Sequence, residues 1–359
     1  MSLGEGYAGA AVRAGRVYVL DYDKAEKRDA LRCFSLADGK EIWRYSYHVI
    51  VKRNHGMSRT VPAVTEKHVV SLGPKCHVTC LDCMTGEFRW GLDLVREFSA
   101  KVPLWYAGQC PLVDGNRVIL ATGGPELMIA VDIATGAVLW KTPNPRGWVM
   151  THSSIAPMEI GGKRMYVYAA SGGVAGVSAE DGSLLWDTEL WKISEATIAS
   201  PVHLGDGRIF LSGGYGSGAM FLKLEQDGGR FSPRMEQRLA PEAFGSPQQT
   251  PVFFEGHLYG VRPDEQLACM DPQGKILWTS GPTNTFGYGP YFIAGGLIFA
   301  MNDEGRLTLA KATPERYEEL SEAKVLSGHE SWGPMAIAGG RLLARDFTRM
   351  VCLDVKEGR

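Results

Sequence analysis

Three cysteines, Cys76, Cys80 and Cys83, stand in the run K-C-H-V-T-C-L-D-C-M-T-G-E-F-R-W, Lys75 to Trp90. A C-x3-C-x2-C spacing can hold an iron–sulfur cluster, because clustered thiolates are its usual ligands. Three histidines, His55, His152 and His329, are further potential ligands. They lack the H-x3-H or H-E-x-x-H spacing that sets two imidazoles on one face. Carboxylates gather in D-Y-D-K-A-E-K-R-D (Asp21 to Asp29), P-D-E (Pro263 to Glu265) and N-D-E-G (Asn302 to Gly305). Paired acids could exchange protons or hold calcium, but charges of both signs mixed with glycine are also what solvated turns contain. G-Y-G-S-G (Gly214 to Gly218) is glycine-rich, yet A-M-F-L-K-L follows it and reads as a strand. A phosphate cradle needs a helix N-terminus there instead.

What these residues can do depends on the elements that carry them, and those elements repeat. The tail of the first run, L-D-C-M-T-G-E-F-R-W, returns as V-D-I-A-T-G-A-V-L-W (Val131 to Trp140). It returns again as F-S-L-A-D-G-K-E-I-W (Phe34 to Trp43), V-S-A-E-D-G-S-L-L-W (Val177 to Trp186) and the shorter M-D-P-Q-G-K-I-L-W (Met270 to Trp278). Each copy predicts two strands joined by a turn whose glycine supplies positive φ. Upstream, Pro62, Pro111, Pro157, Pro201, Pro251, Pro290 and Pro334 each precede a short apolar run, spaced by 49, 46, 44, 50, 39 and 44 residues. Ala10 takes the proline's place in the first unit. Four short strands, A to D, in each of eight units predict an all-β, eight-bladed β-propeller. A β-sandwich has similar strands but no reason to repeat Gly-turn-Trp in register. The expected arrangement is one propeller over residues 1–359, with blades starting near 8, 60, 109, 155, 199, 249, 288 and 332. Units five and seven lack the Trp hairpin, with Tyr317 near the Trp position in the latter. The last unit ends after strand C, so its outer strand is expected to be missing, leaving an edge for a partner or absent segment.

The repeat reassigns the cysteines. Cys33, Cys80, Ala130, Gly176, Cys269 and Cys352 share one position, where cysteine alternates with small residues as a buried hydrophobe. Along a strand, Cys76 and Cys80 would lie roughly 13 Å apart at ~3.3 Å per residue, with Cys83 on the other face. No metal site is therefore expected. The five recurrent tryptophans, Trp43, Trp90, Trp140, Trp186 and Trp278, are expected to pack between blades, each a large apolar surface.

The pattern L-D-x-x-T-G-x-x-x-W resembles the tryptophan-docking repeat of pyrroloquinoline-quinone (PQQ)-type propellers, over nearly the whole chain. That resemblance implies a fold shared by quinone-dependent alcohol and sugar dehydrogenases and by non-catalytic scaffolds, including an outer-membrane assembly lipoprotein. It also implies an extracytoplasmic, bacterial setting. Many of the dehydrogenases carry adjacent cysteines against the quinone and a calcium held by carboxylates and an Asn; this chain has no Cys-Cys pair. The leading expectation is a non-catalytic binding or scaffold propeller with no cofactor. The alternatives are a PQQ- and calcium-dependent oxidoreductase and a carbohydrate-binding propeller.

In a propeller the D–A and B–C loops share one face and the A–B and C–D turns the other. The first face holds Arg59, Trp105, Trp148, His152, Glu195, Gln249, Tyr288 and Trp332. These are the candidates to converge on the channel mouth, where rings beside a few polar groups suit a small-molecule or sugar ligand. They are equally suited to plugging the mouth against one another. None is assigned a catalytic role. Charge excludes other classes: 38 basic residues against 40 acidic ones give a net −2, with no basic excess for nucleic acid. No apolar run reaches the ~20 residues of a membrane span, and no signal peptide is visible in M-S-L-G-E-G-Y.

Overall fold

The turn glycines fix the hairpins. Gly39, Gly86, Gly136, Gly182 and Gly274 all adopt φ between 71° and 84°, a region closed to most side chains. In blades 2 and 3 the preceding aspartate closes the turn as well. Asp82 Oδ1 accepts from the backbone N–H of Met84 and Thr85, and Asp132 Oδ1 from those of Ala134 and Thr135. Each hairpin then pairs with two further strands. The computed structural model describes residues 1–356 as eight small antiparallel sheets in a ring, an eight-bladed propeller. Inner strands begin at Ala10, Ala63, Leu112, Ala156, Val202, Val252, Tyr291 and Ala336. The inner strand of blade 1 (Ala10–Arg13) touches those of blade 2 and blade 8, closing the ring. One five-residue helix, Leu94–Phe98, interrupts the D–A loop of blade 2, with Asp93 accepting from the N–H groups of Val95 and Arg96 as its N-cap.

The small-residue position has a direct physical cause. Cys33, Cys80, Ala130, Gly176 and Cys269 are the cross-strand partners of Trp43, Trp90, Trp140, Trp186 and Trp278, with a bulge immediately after each pair. A Cβ at Gly176 would fall 2.1 Å from Trp186 Nε1. The indoles also reach forward along the chain. Cβ atoms at Gly86, Gly136 and Gly182 would fall 2.6, 2.8 and 2.4 Å from the rings of Trp43, Trp90 and Trp140 in the preceding blade. The Trp90 Nε1–H donates to Ile133 O at 2.8 Å, and that of Trp278 to Thr313 O at 2.7 Å, each in the following blade. Trp186 turns instead to Met165 Sδ in its own blade. Blade 5 has the long hairpin Gly218–Asp227 and Arg230–Leu239, whose turn glycines Gly228 and Gly229 lie clear of any ring.

Two local expectations need correction. Strand C of blade 2 starts at His77, not at Cys76. Cys76 closes a turn, donating its N–H to Gly73 O at φ 67°. The three thiols diverge as expected: Cys76 and Cys80 pack toward blade 3, and Cys83 joins the cluster shared with blade 1. Burial pushes the Cys76 and Cys80 thiols up to about 12. Tyr317 precedes the outer strand of blade 7 (Glu319–Lys324) and packs on Trp278 at 5.8 Å.

Blade 8 has three strands, Ala336–Ala338, Arg341–Arg345 and Met350–Asp354; Glu357 to Arg359 lie outside the described residues. Residues 1–6 run beside its third strand and the loop before it. Met350 N–H donates to Met1 O, Leu3 N–H to Thr348 O and Gly6 N–H to Phe347 O. Arg345, fully buried, joins the same seam. Its Nη1 donates to Ala8 O at 3.1 Å and Leu20 O at 3.5 Å, and its Nη2 to Gly4 O at 2.8 Å. No helix among the described residues is long and apolar enough to cross a membrane.

Candidate functional site

The D–A loops and B–C turns enclose a cavity of about 400 Å³ at the channel mouth. Arg59, Trp105, His152, Gln249, Tyr288 and Trp332 line it. The other two expected residues lie elsewhere. Trp148 is buried between blades 3 and 4, its indole filling the space left by Gly172 and Gly173. Glu195 is exposed and outside the lining, near enough for its charge to help raise the Tyr215 hydroxyl. Tyr7, His55, Cys110, Ser154, Ser200, Tyr215 and Thr250 complete much of the wall. Sequence reasoning had named His55 only as a potential metal ligand and missed the others. Tyr215 carried a signal, since a lone aromatic in G-Y-G-S-G sits at a turn on the same face.

The aromatic walls are held in unusual backbone. Trp105, Tyr106 and Tyr215 have φ of 64°, 74° and 55°, and His55 has 57°. Bulky residues rarely adopt this region, and such strain concentrates at functional sites. The Trp105 and Tyr215 rings lie 6.3 Å apart at 14°, although they come from blades 2 and 5. On the far side Trp332 meets Tyr7 at 5.2 Å and Tyr288 at 5.4 Å. Asp303 Oδ1 fixes this pair, accepting from Trp332 Nε1 at 2.7 Å and Tyr288 N–H at 2.8 Å. Gln249 Nε2 donates to Tyr288 O and Trp332 O.

Arg59 is the lining's fixed cation. Its guanidinium lies over the Tyr7 ring at 5.1 Å, with Nε donating to Trp105 O and Nη2 to Asn54 O. Burial lowers its affinity for the proton. Burial, with Arg59 adding to it, also pushes the His152 imidazole down to about 4, so His152 is neutral at pH 7. No Asp or Glu lines the cavity.

Comparison with known proteins places the chain. The family described as outer membrane protein assembly factor BamB, whose profile is built on the PQQ-type repeat, matches residues 27–279. The chain belongs to this PQQ-like propeller family. Among solved structures it is similar to BamB from Moraxella catarrhalis, at 14% identity and TM-score 0.67, over 98% of both chains. It is similar to the computationally designed Ika8 protein, at 12% identity and TM-score 0.63, over 99% of this chain and 98% of that one. A europium-containing methanol dehydrogenase matches at 13% identity and TM-score 0.66, over 96% of this chain and 83% of that one. No curated protein sequence matches it. At these identities the PQQ-like neighbours share the fold, and one is named for assembly while another is named for an enzyme.

Proposed function

We propose that the chain is a binding or scaffold propeller without chemistry of its own, taking a ligand or partner protein on the D–A and B–C face, in an extracytoplasmic setting. The observation that carries this is the make-up of the mouth cavity: strained aromatic plates, hydrogen-bond donors and Arg59, with no carboxylate in the lining. A general acid–base pair or a bound calcium draws on carboxylates. The donor set therefore does not fit a calcium-bridged quinone. No group of three His, Cys, Asp or Glu side chains is placed to hold a cation among the described residues, and the sequence has no adjacent cysteines. The likeness to a named assembly factor supports the scaffold reading, and the stretch of blade 8's third strand beyond Met350, which residues 1–6 leave unpaired among the described residues, offers a second place for a partner.

The test is incubation with PQQ and calcium, followed by dye-linked oxidation of a panel of alcohols and sugars. No turnover is expected. Turnover that depends on added quinone refutes the proposal.

A further inference from the structure

The floor of the mouth cavity carries a pattern beyond a general binding surface. Ser154, Ser200 and Thr250 line it, in three successive blades. Each side-chain oxygen accepts a backbone N–H from the blade before: Cys110 N–H to Ser154 Oγ, Ser154 N–H to Ser200 Oγ and Ser200 N–H to Thr250 Oγ1, all at 3.0 Å. Cys110 Sγ extends the arc, accepting from Val61 N–H at 3.2 Å. A hydroxyl that accepts still has one proton to give. The Ser200 and Thr250 hydroxyl protons meet no acceptor among the described residues, while that of Ser154 is within reach of Cys110 Sγ. The arc therefore presents unspent donors to the cavity.

Arg59 adds a charge to those donors. Its Nη1 has no partner among the described residues, the other nitrogens being engaged by carbonyls. Glu330, whose charge reaches Arg59, accepts from Tyr7 Oη at 3.0 Å and is not in the lining. A half-buried cation that no carboxylate touches directly is costly unless something supplies a closer counter-charge. Above it, Trp105 and Tyr215 form two near-parallel plates.

We propose that this cavity binds an organic oxyanion, a carboxylate or phosphate ester carried by a flat ring. The oxygens meet Arg59 and the hydroxyls of Ser200 and Thr250, and the ring lies against Trp105 and Tyr215. The inference rests on the binding reading above and names its ligand class. The same oxyanion chemistry can come from a free small acid or from the C-terminal aromatic residue of a polypeptide.

The test is titration calorimetry on the full chain with benzoate, phenyl phosphate and neutral benzamide, and with Gly-Gly-Phe as free acid and as amide. At least one ring anion or the acid peptide should bind at about 1 mM or tighter, with its neutral analogue at least ~10-fold weaker. Arg59→Gln should weaken the anion ~10- to 100-fold, the range for a charge-assisted hydrogen bond, with the melting temperature kept as a folding control. Ser200→Ala with Thr250→Val should weaken it too; if that pair fails to fold, Arg59→Gln alone decides. Binding of the peptide acid but not of the free ring anions assigns the chain end as source, and the reverse assigns a free acid. Equal binding of benzamide and benzoate, no anion binding up to about 10 mM, or a well-folded Arg59→Gln that binds as well as the parent overturns the inference. Quinone-dependent turnover would sink the non-catalytic reading while leaving the anion site standing, so the two failures are distinguishable.

Discussion

Asp29 makes the stability of the propeller depend on pH in an unusual direction. It lies in blade 1, 1% exposed, where the backbone of blade 2 covers it. A Cβ at Gly73 would fall 2.5 Å from Asp29 Oδ2 and 2.2 Å from Tyr47 Oη, so only glycine fits this lid. Tyr47 Oη donates to Oδ2 at 2.7 Å, while Oδ1 has no partner. Burial, with the charge of Asp21 adding to it, outweighs the Tyr47 hydrogen bond and pushes the carboxyl from 3.8 to about 7. Between those values the native state holds a proton that the unfolded chain has lost. Stability contributed by the neutral acid is complete below about pH 4 and is lost as pH rises to about 7. Each unit is worth about 1.4 kcal/mol, so the full window amounts to about 4 kcal/mol. Asp29→Asn removes this titration and keeps an acceptor for Tyr47. Urea unfolding of both proteins from pH 4 to pH 9 should show the variant gaining on the parent by up to about 1.4 kcal/mol per unit, then levelling off above pH 7. A difference independent of pH would refute the reasoning, because it would mean that Asp29 is ionised in the folded protein throughout.

Three further perturbations test how the blades pack and how the ring closes. Trp90→Ala removes an indole packed on Gly136 and bonded to Ile133 O; a loss of about 3–5 kcal/mol is expected in chemical unfolding. Gly176→Val should cost a comparable amount, because its Cβ would meet Trp186, and a loss under ~1 kcal/mol would show that the pair relaxes freely. Arg345→Met strands the carbonyls of Gly4, Ala8 and Leu20. It should cost about 2–4 kcal/mol and speed hydrogen exchange in residues 1–8 before any other segment. Uniform exchange across the ring would refute a local role.

The blades were legible because their chemistry recurs at a fixed period. A glycine turn, a Trp and a small partner across the strand leave the same mark in five units, so the strands followed from pattern alone. The cysteine position was recognisable as small and buried, but its cause, the indole opposite, appears only once the bulged register is known. At the mouth, Arg59, Trp105 and Gln249 were visible as unusual residues in loops on a predicted face. Trp148 looked equivalent, yet two glycines in its own neighbourhood draw it inward. The arc through Cys110, Ser154, Ser200 and Thr250 left no mark, since each bond joins residues 44 to 50 positions apart. Serine and threonine before an inner strand are ordinary in any one blade. Their meaning lies in the circle.

Two sets of ties run forward along the chain: the tryptophans at the outside join blades 1 to 4 and 6 to 7, and the hydroxyl arc at the inside joins blades 2 to 6. The joint where the two ends meet is built differently, from Arg345 and residues 1–6. Adding or removing one whole repeat would change the angle between every pair of neighbouring blades, so the strain would fall on all the joints and not on the closure alone. Blade number in such a ring is a property shared by its joints, and the clasp seals a circle whose size they have already set.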